Sequence, residues 1–364
     1  MQPTNLKPLT ALRFFAAAWV VLFAFWPRLD VGFTPMLVSK GYLGVEVFFI
    51  LSGFILSHVY LPAAEEGRFH YGKFLWARLA RIYPLHLICL AAIGALAIAA
   101  VMAGRVIDPN ILNLPSLLPN LLLVHAWGFA PVSGWNHPSW SISAEWFAYL
   151  SFPAFAWGTI KLRRRPELAV ALALALVFVL NAVFLRLAGF SLTRATIAWG
   201  ALRIAPCFAY GCALYLVWRS GAVQSRTAAL LGALFFGAAL VLGAQAGVPD
   251  PALVAVAGAL ILFLASLSST GSKAMSHPVL VYLGEISYSI YMVHALWDLV
   301  FANGAAAALH LDAKRLPPGI WLILVAGVIP LAAASYHLIE RPARERLREW
   351  RFPANKRGLK ITPV

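Results

Sequence analysis

Charged residues are scarce in this chain: they make up 12% of its 364 residues, whereas hydrophobic residues make up 61%. A soluble domain carries about a quarter charged residues, so most of this surface cannot face water. Acidic residues are the scarcer sign, 14 against 29 basic ones. The net charge of +15 would suggest nucleic acid for a soluble protein. In a membrane protein it follows from basic residues that gather on the cytoplasmic side, so we expect a lipid bilayer and no nucleic acid as partner.

Cysteine is also rare, and Cys89, Cys207 and Cys212 all lie inside apolar runs. They show neither metal-ligand spacing nor a disulfide framework, so we expect buried thiols and no metal. A cleavable signal peptide is not expected. The apolar run from Leu9 to Trp26 is too long for a signal core, and it predicts a retained first helix.

Apolar runs of about 20 residues, long enough to cross a bilayer, recur along the chain. They predict an all-α membrane protein, a bundle of about ten transmembrane helices near residues 9–27, 41–60, 80–104, 140–160, 167–187, 196–218, 227–246, 251–269, 279–301 and 317–339. The apolar stretch 114–130 is too short to span and is predicted to be re-entrant or to lie on the outer face. The distribution of basic residues favours cytoplasmic termini in a multi-pass protein of the inner (cytoplasmic) membrane.

The chain is predicted to divide into a transmembrane domain, residues 1–342, and a basic cytoplasmic tail, residues 343–364. The tail is expected to form a surface helix against anionic headgroups.

Charged groups inside apolar spans are expensive, about 2.5–3.5 kcal/mol each, so each is a candidate for function. The alternative for each is structural pairing with an opposite charge. The candidates are Arg13, Glu46, Glu145, Arg203, Glu285, Asp298 and Glu340.

Two arginines three residues apart, Arg78 and Arg81, project from one helix face at the cytoplasmic boundary. Their forked, permanently charged donors suit phosphate groups, and Tyr83 is assigned to the same site. Ordinary anchoring by positive charge is the alternative.

The fourth and ninth predicted spans carry polar side chains among aromatic ones. Trp140, Ser143, Glu145 and the preceding His137 suit a sugar face, although aromatic residues also form interfacial belts. In the ninth span, Glu285, Tyr288 and Tyr291 recur at helical spacing and predict one polar stripe, with His294 one turn further on.

In their order and spacing these segments resemble the acyltransferase-3 family of membrane O-acyltransferases, which decorate bacterial surface and exported glycans. The resemblance runs from Leu12-Arg13 through Gly44–Phe54, Arg78/Arg81 and Trp140–Glu145 to Leu283–His294 and Glu340-Arg341-Pro342. It implies an acetyl-CoA donor, with phosphates on Arg78 and Arg81, and a glycan or lipid-linked oligosaccharide acceptor. It also implies a first-helix pair, Arg13 and an essential histidine eleven positions later.

That later position is Ala24 in this chain. Positions 13 and 24 share one helix face about 16 Å apart, so both are expected to face one cavity, with Glu46 or Glu145 orienting the histidine. Alanine cannot accept a proton, so an enzyme that depends on this base would be inactive. The favoured explanation is an inactivating substitution, because every other motif is intact. A natural non-catalytic relative is the second, and replacement by His125, His137 or His294 is the least favoured.

Two other classes of function remain open. A transporter would line its pathway with the buried charges, but the chain shows no internal repeats. A non-catalytic acyl-CoA sensor would bind CoA without turnover. Because no second soluble domain is predicted, the architecture favours an exopolysaccharide acceptor of the xanthan type. O-antigen, nodulation-factor and macrolide acceptors are alternatives.

Overall fold

Helices form nearly all the regular structure in the residues that the computed structural model describes, namely 6–104, 107–270 and 274–351. An isolated bridge joins Leu29 and Leu316. The helices are α1 (Lys7–Phe25), α2 (Met36–Ser39), α3 (Gly44–Glu65), α4 (Tyr71–Met102), α5 (Leu114–Leu121), α6 (Trp140–Leu150), α7 (Phe152–Lys161), α8 (Pro166–Ala188), α9 (Gly200–Arg219), α10 (Arg226–Gln245), α11 (Asp250–Thr270), α12 (Pro278–Glu285), α13 (Ser287–Leu309), α14 (Pro318–Ser335) and α15 (Arg341–Arg351).

Nine of these helical stretches, within the described part of the chain, are long and apolar enough to cross a membrane. The prediction of an all-α membrane bundle is therefore confirmed, while the count of about ten continuous spans is not. The difference is the predicted span 140–160, which is two short helices, α6 and α7, meeting at Ser151. Pro153 explains the break, because its ring would clash with the carbonyl four residues earlier in a continuous helix.

Two predicted boundaries also shift. The third helix begins at Tyr71 rather than near residue 80, so Arg78 and Arg81 lie inside α4. The predicted ninth span, 279–301, is divided at Ile286 into α12 and α13. The stretch 114–130 holds only the eight-residue α5 and a short turn at His125–Trp127, so it does not span, as the sequence predicts.

Close contact between α3 and α9 builds the centre of the bundle. A Cβ atom on Gly53 would meet the backbone of Phe208, and one on Gly211 would meet the backbone of Ile50. Glycine is required at both positions because the two backbones touch.

The last helix, α15, follows a π-helical turn at Tyr336–Glu340. Pro342 accounts for that turn, since a proline cannot accommodate the regular α-helical carbonyl four residues before it. The Trp76 indole of α4 donates a hydrogen bond to the Leu347 carbonyl of α15 at 2.8 Å. The predicted boundary at residue 342 thus falls inside a helix that packs against α4, and residues 352–364 of the predicted tail lie outside the described residues.

Candidate active site

A cavity of about 370 Å³ lies between α1, α3, α4, α6, α12, α13 and α15. Small-molecule sites commonly occupy about 300–1,000 Å³, so the volume suits a ligand. Along α3 its lining runs from Val45 to His58, which is about 20 Å of helix at 1.5 Å per residue. The cavity is therefore deep and narrow, and its two ends differ in chemistry.

Five arginines line the cavity, and most of them lie toward the end near the C-terminal helix. They are Arg13, Arg78, Arg81, Arg341 and Arg344. The carboxylates of the lining are Glu145, Glu285 and Glu345, so the lining carries a net positive charge. Sequence analysis had assigned phosphate binding only to Arg78 and Arg81. Arg341 and Arg344 were missed as cavity residues because they were assigned to the end of the last span and to a surface tail.

Arg13 lies deeper, on the half-buried face of α1. It is within electrostatic range of Arg81, Glu340 and Glu145. The predicted grouping of Arg13 with the arginine pair and with Glu145 is therefore present in space, although these residues come from three separate helices.

The polar stripe predicted in the ninth span also lines the cavity. Glu285 is the last residue of α12, and Tyr288 and Tyr291 belong to α13. The Tyr288 hydroxyl donates to the Ile82 carbonyl at 2.6 Å, and the Ser52 hydroxyl of α3 donates to Glu145. These contacts fix α3, α4, α6 and α13 around one space.

Glu46, by contrast, lies outside the cavity lining, in a closed ion pair. Its two carboxylate oxygens accept hydrogen bonds from Arg203 at 2.5 Å and 2.9 Å, and both residues are almost fully buried. Trp140 covers this pair, with its ring 4.5 Å from the Arg203 guanidinium carbon. These contacts are the structural pairing that was the alternative for each buried charge, and neither Glu46 nor Trp140 lines the cavity.

Three further predicted site residues make local contacts away from the lining. The Tyr83 hydroxyl donates to the Leu121 carbonyl at 3.0 Å. The Ser143 hydroxyl donates to the Leu123 carbonyl at 2.8 Å and accepts from the Ala126 amide. Glu340 is buried and accepts a hydrogen bond from Ser289 at 2.8 Å, while Arg344 lies 3.7 Å away.

Position 24 lies beyond the cavity. Ala24 is half-buried against the hydrophobic core, whereas the cavity lining from α1 ends at Arg13. The next residue, Phe25, is fully buried, and its ring centroid lies 6.0 Å from that of His294. Phe25 of α1 and His294 of α13 are therefore neighbours next to position 24.

The other two candidate histidines have different surroundings. His125 is buried, and its ring stacks on that of His86. Its Nε2 atom is hydrogen-bonded to the Ser139 hydroxyl, 3.0 Å away. Burial lowers the pKa of His125 to about 3, with a smaller contribution from His86, so this ring stays neutral. His137 is exposed and pairs with the Ser133 hydroxyl at 2.5 Å through Nδ1. None of the three candidate histidines, His294 included, is among the residues that line the cavity.

Nine helical stretches in the described part of the chain could cross a membrane, and five arginines line one cavity between the helices. These features define the class of the molecule as a multi-pass membrane protein. Helical bundles of this kind belong to the inner membrane, because bacterial outer-membrane spans are β-barrels.

Comparison with known proteins gives the family. The acyltransferase-3 family, described as an acyltransferase domain, matches residues 7–337. The chain belongs to this family, and membership implies an acyl donor and a carbohydrate acceptor.

Individual relatives differ in how much of their length is shared. The acyltransferase MdmB of Streptomyces mycarofaciens is 31% identical over 80% of this chain and 78% of its own length. The exopolysaccharide production protein ExoZ of Rhizobium meliloti is 29% identical over 87% of this chain and 94% of its own length. The peptidoglycan O-acetyltransferase OatA of Listeria monocytogenes is 26% identical over 84% of this chain but only 51% of its own length. No solved structure matches the chain significantly.

Proposed function

We propose that this protein is a membrane O-acetyltransferase that moves an acetyl group from cytoplasmic acetyl-CoA to a sugar hydroxyl of an exported polysaccharide or of its lipid-linked repeat. The observation that carries the proposal is the cavity with five arginines in its lining. CoA carries a diphosphate and a 3′-phosphate at one end and a thin pantetheine arm that ends in the thioester. Guanidinium groups bind phosphate oxygens through paired hydrogen bonds, and a narrow cavity suits the arm.

The proposed orientation puts the arginine-rich end and both termini in the cytoplasm. If α6 and α7 together form one crossing, the chain makes ten, and an even number returns it to the side where it began. The exposed basic residues Arg163, Arg164 and Arg165 then lie on the same side as Arg341 and Arg344. This arrangement agrees with the positive-inside rule.

An exopolysaccharide is the favoured acceptor. ExoZ, named for exopolysaccharide production, shares nearly its whole length with this chain, whereas OatA shares about half.

Donor binding tests the proposal directly. Protein in lipid nanodiscs is titrated with acetyl-CoA and with its 3′-dephospho form, and binding is measured by calorimetry. Arg78→Ala/Arg81→Ala is expected to weaken acetyl-CoA binding by at least about tenfold, since a charged hydrogen bond contributes about 1.5–3 kcal/mol. Arg164→Ala, an exposed arginine in the loop after α7, is the matched control and should bind normally. Equal binding by all forms contradicts the assignment of the donor site.

A second candidate function follows from Ala24. A protein without the family's histidine could bind acyl-CoA without turning it over, either as a sensor or as an inactivated enzyme. Acetyl transfer to host exopolysaccharide, measured by mass spectrometry in membranes of the unchanged chain and of Ala24→His, separates these cases. Turnover by Ala24→His alone identifies a disabled enzyme, and donor binding without turnover in both forms identifies the sensor.

A further inference from the structure

His294 lies between the cavity and the place where the first helix lacks its histidine. On one side, its ring centroid is 5.7 Å from that of Tyr291, which lines the cavity. On the other, it is 6.0 Å from Phe25, the neighbour of position 24. Tyr291 also packs against Phe48 of the cavity wall, with ring centroids 6.3 Å apart. A group at His294 is therefore one helical turn beyond the part of the cavity that α13 lines.

One hydrogen bond fixes the tautomer of the His294 ring. Its Nδ1 atom lies 2.6 Å from the Tyr291 carbonyl oxygen. A carbonyl only accepts, so Nδ1 must carry the proton in this contact. In a neutral ring, Nε2 then carries the lone pair and can accept a proton. A histidine that acts as a general base needs this arrangement.

A carboxylate lies about one helical turn beyond this ring on the same helix. Asp298 follows His294 by four residues, on the same face of α13, and is within electrostatic range of it. Arg28 holds Asp298 through hydrogen bonds of 2.9 Å and 2.7 Å from Nε and Nη2. Arg28 also donates to the Ala313 carbonyl at 2.8 Å, so the carboxylate has a fixed position.

We infer that His294 is the base for acyl transfer in this chain and replaces, from α13, the histidine that α1 lacks. The inference rests on the proposed acetyltransferase function. Nε2 takes the proton of the acceptor hydroxyl as its oxygen attacks the thioester carbonyl carbon. The new carbon–oxygen bond forms, the carbon–sulfur bond breaks, and the imidazolium returns the proton to the CoA thiolate. The products are the acetyl ester and free CoA thiol, and the ring ends in its starting state.

Four forms of the full-length protein test this inference. They are the unchanged chain, His294→Gln, Ala24→His and the double variant Ala24→His/His294→Gln, each assayed for acetyl transfer and for acetyl-CoA binding in nanodiscs. Glutamine can still donate a hydrogen bond but cannot act as a base. His310→Asn is the matched control, because His310 is exposed at the end of the same helix and adopts a left-handed conformation that asparagine tolerates.

The expected result is turnover by the unchanged chain, a loss of about 10²–10⁴-fold in His294→Gln with donor binding retained, and normal turnover in His310→Asn. Recovery of activity in the double variant would show that the lost function is a base, because a packing defect at His294 would not be repaired from α1. If His294→Gln does not bind the donor, the more conservative His294→Asn replaces it in the same comparison.

Two results overturn the inference while the proposed function stands. One is activity within about twofold of normal in His294→Gln, and the other is turnover only after Ala24→His. If no form transfers acetyl groups although all bind acetyl-CoA, the acetyltransferase proposal itself fails, and the inference fails with it.

Discussion

The buried Arg203 and the half-buried arginines of the cavity have different surroundings. Arg203 directs its donors at protein groups: both oxygens of Glu46, the Ala195 carbonyl and the Tyr42 carbonyl. Trp140 covers its face. Arg13, Arg78 and Arg81 line the cavity, where Arg78 also contacts the Tyr60 hydroxyl at 3.4 Å. A buried charge that is enclosed by protein groups depends on its counter-charge, while a charge that also borders a cavity can contact a ligand there.

Breaking the enclosed pair is expected to have the largest effect. Glu46→Leu leaves the Arg203 guanidinium buried without its counter-charge, at a cost of about 3–5 kcal/mol in the free energy of unfolding. The double change Glu46→Leu/Arg203→Met should recover most of that loss, because it removes both charges. Thermal unfolding of purified protein in one detergent measures both. A single variant as stable as the unchanged chain would show that Glu46 has another role.

Removing one arginine at the cavity end is expected to weaken donor binding. Arg344→Ala is expected to weaken acetyl-CoA binding by about fivefold, since one partly exposed charged contact contributes about 1 kcal/mol. Arg346→Ala on the same helix is the control, because Arg346 is exposed and does not line the cavity. Equal binding by the two variants would remove α15 from the donor site.

The smallest effect is expected at the Arg28–Asp298 pair, which has intermediate surroundings. Its side chains retain 24% and 21% of their accessible surface. Solvent screening therefore limits the contribution of the pair to about 1 kcal/mol. Asp298→Asn should lower the unfolding temperature only slightly, and Asp312→Asn, which removes only a local contact to the Lys314 amide, should not change it. If Asp298→Asn lowered the stability as much as Glu46→Leu, the expectation that solvent exposure weakens this ion pair would be wrong.

Much of the fold and part of the site could be predicted from the sequence. Runs of about 20 apolar residues identify membrane helices, because each must satisfy its own backbone hydrogen bonds in lipid. The Arg78/Arg81 pair and the Tyr288/Tyr291 pair follow from helical spacing, which places side chains on one face. Glu285 lines the same cavity from a separate helix, α12, which the spacing alone did not indicate. The break at Ser151 was missed because the apolar pattern continues through it, although Pro153 was a local signal.

Local patterns could not show which buried charges face the cavity. Glu46 and Glu145 are both acids in apolar helices, yet Glu46 pairs with Arg203 while Glu145 lines the cavity. The partner of each depends on which helices pack together, and that is decided by side chains far apart in the chain, such as Gly53 and Gly211 at the α3–α9 contact.

The sequence by itself determined the class of the protein and the absence of a histidine at position 24, because both depend only on which residues occur in which order. Only the tertiary structure brought His294 beside Phe25 and gathered arginines from α1, α4 and α15 around one cavity. The physical reason is that helix periodicity fixes which residues share a face of one helix. The packing of different helices, through contacts between distant segments, decides what that face meets.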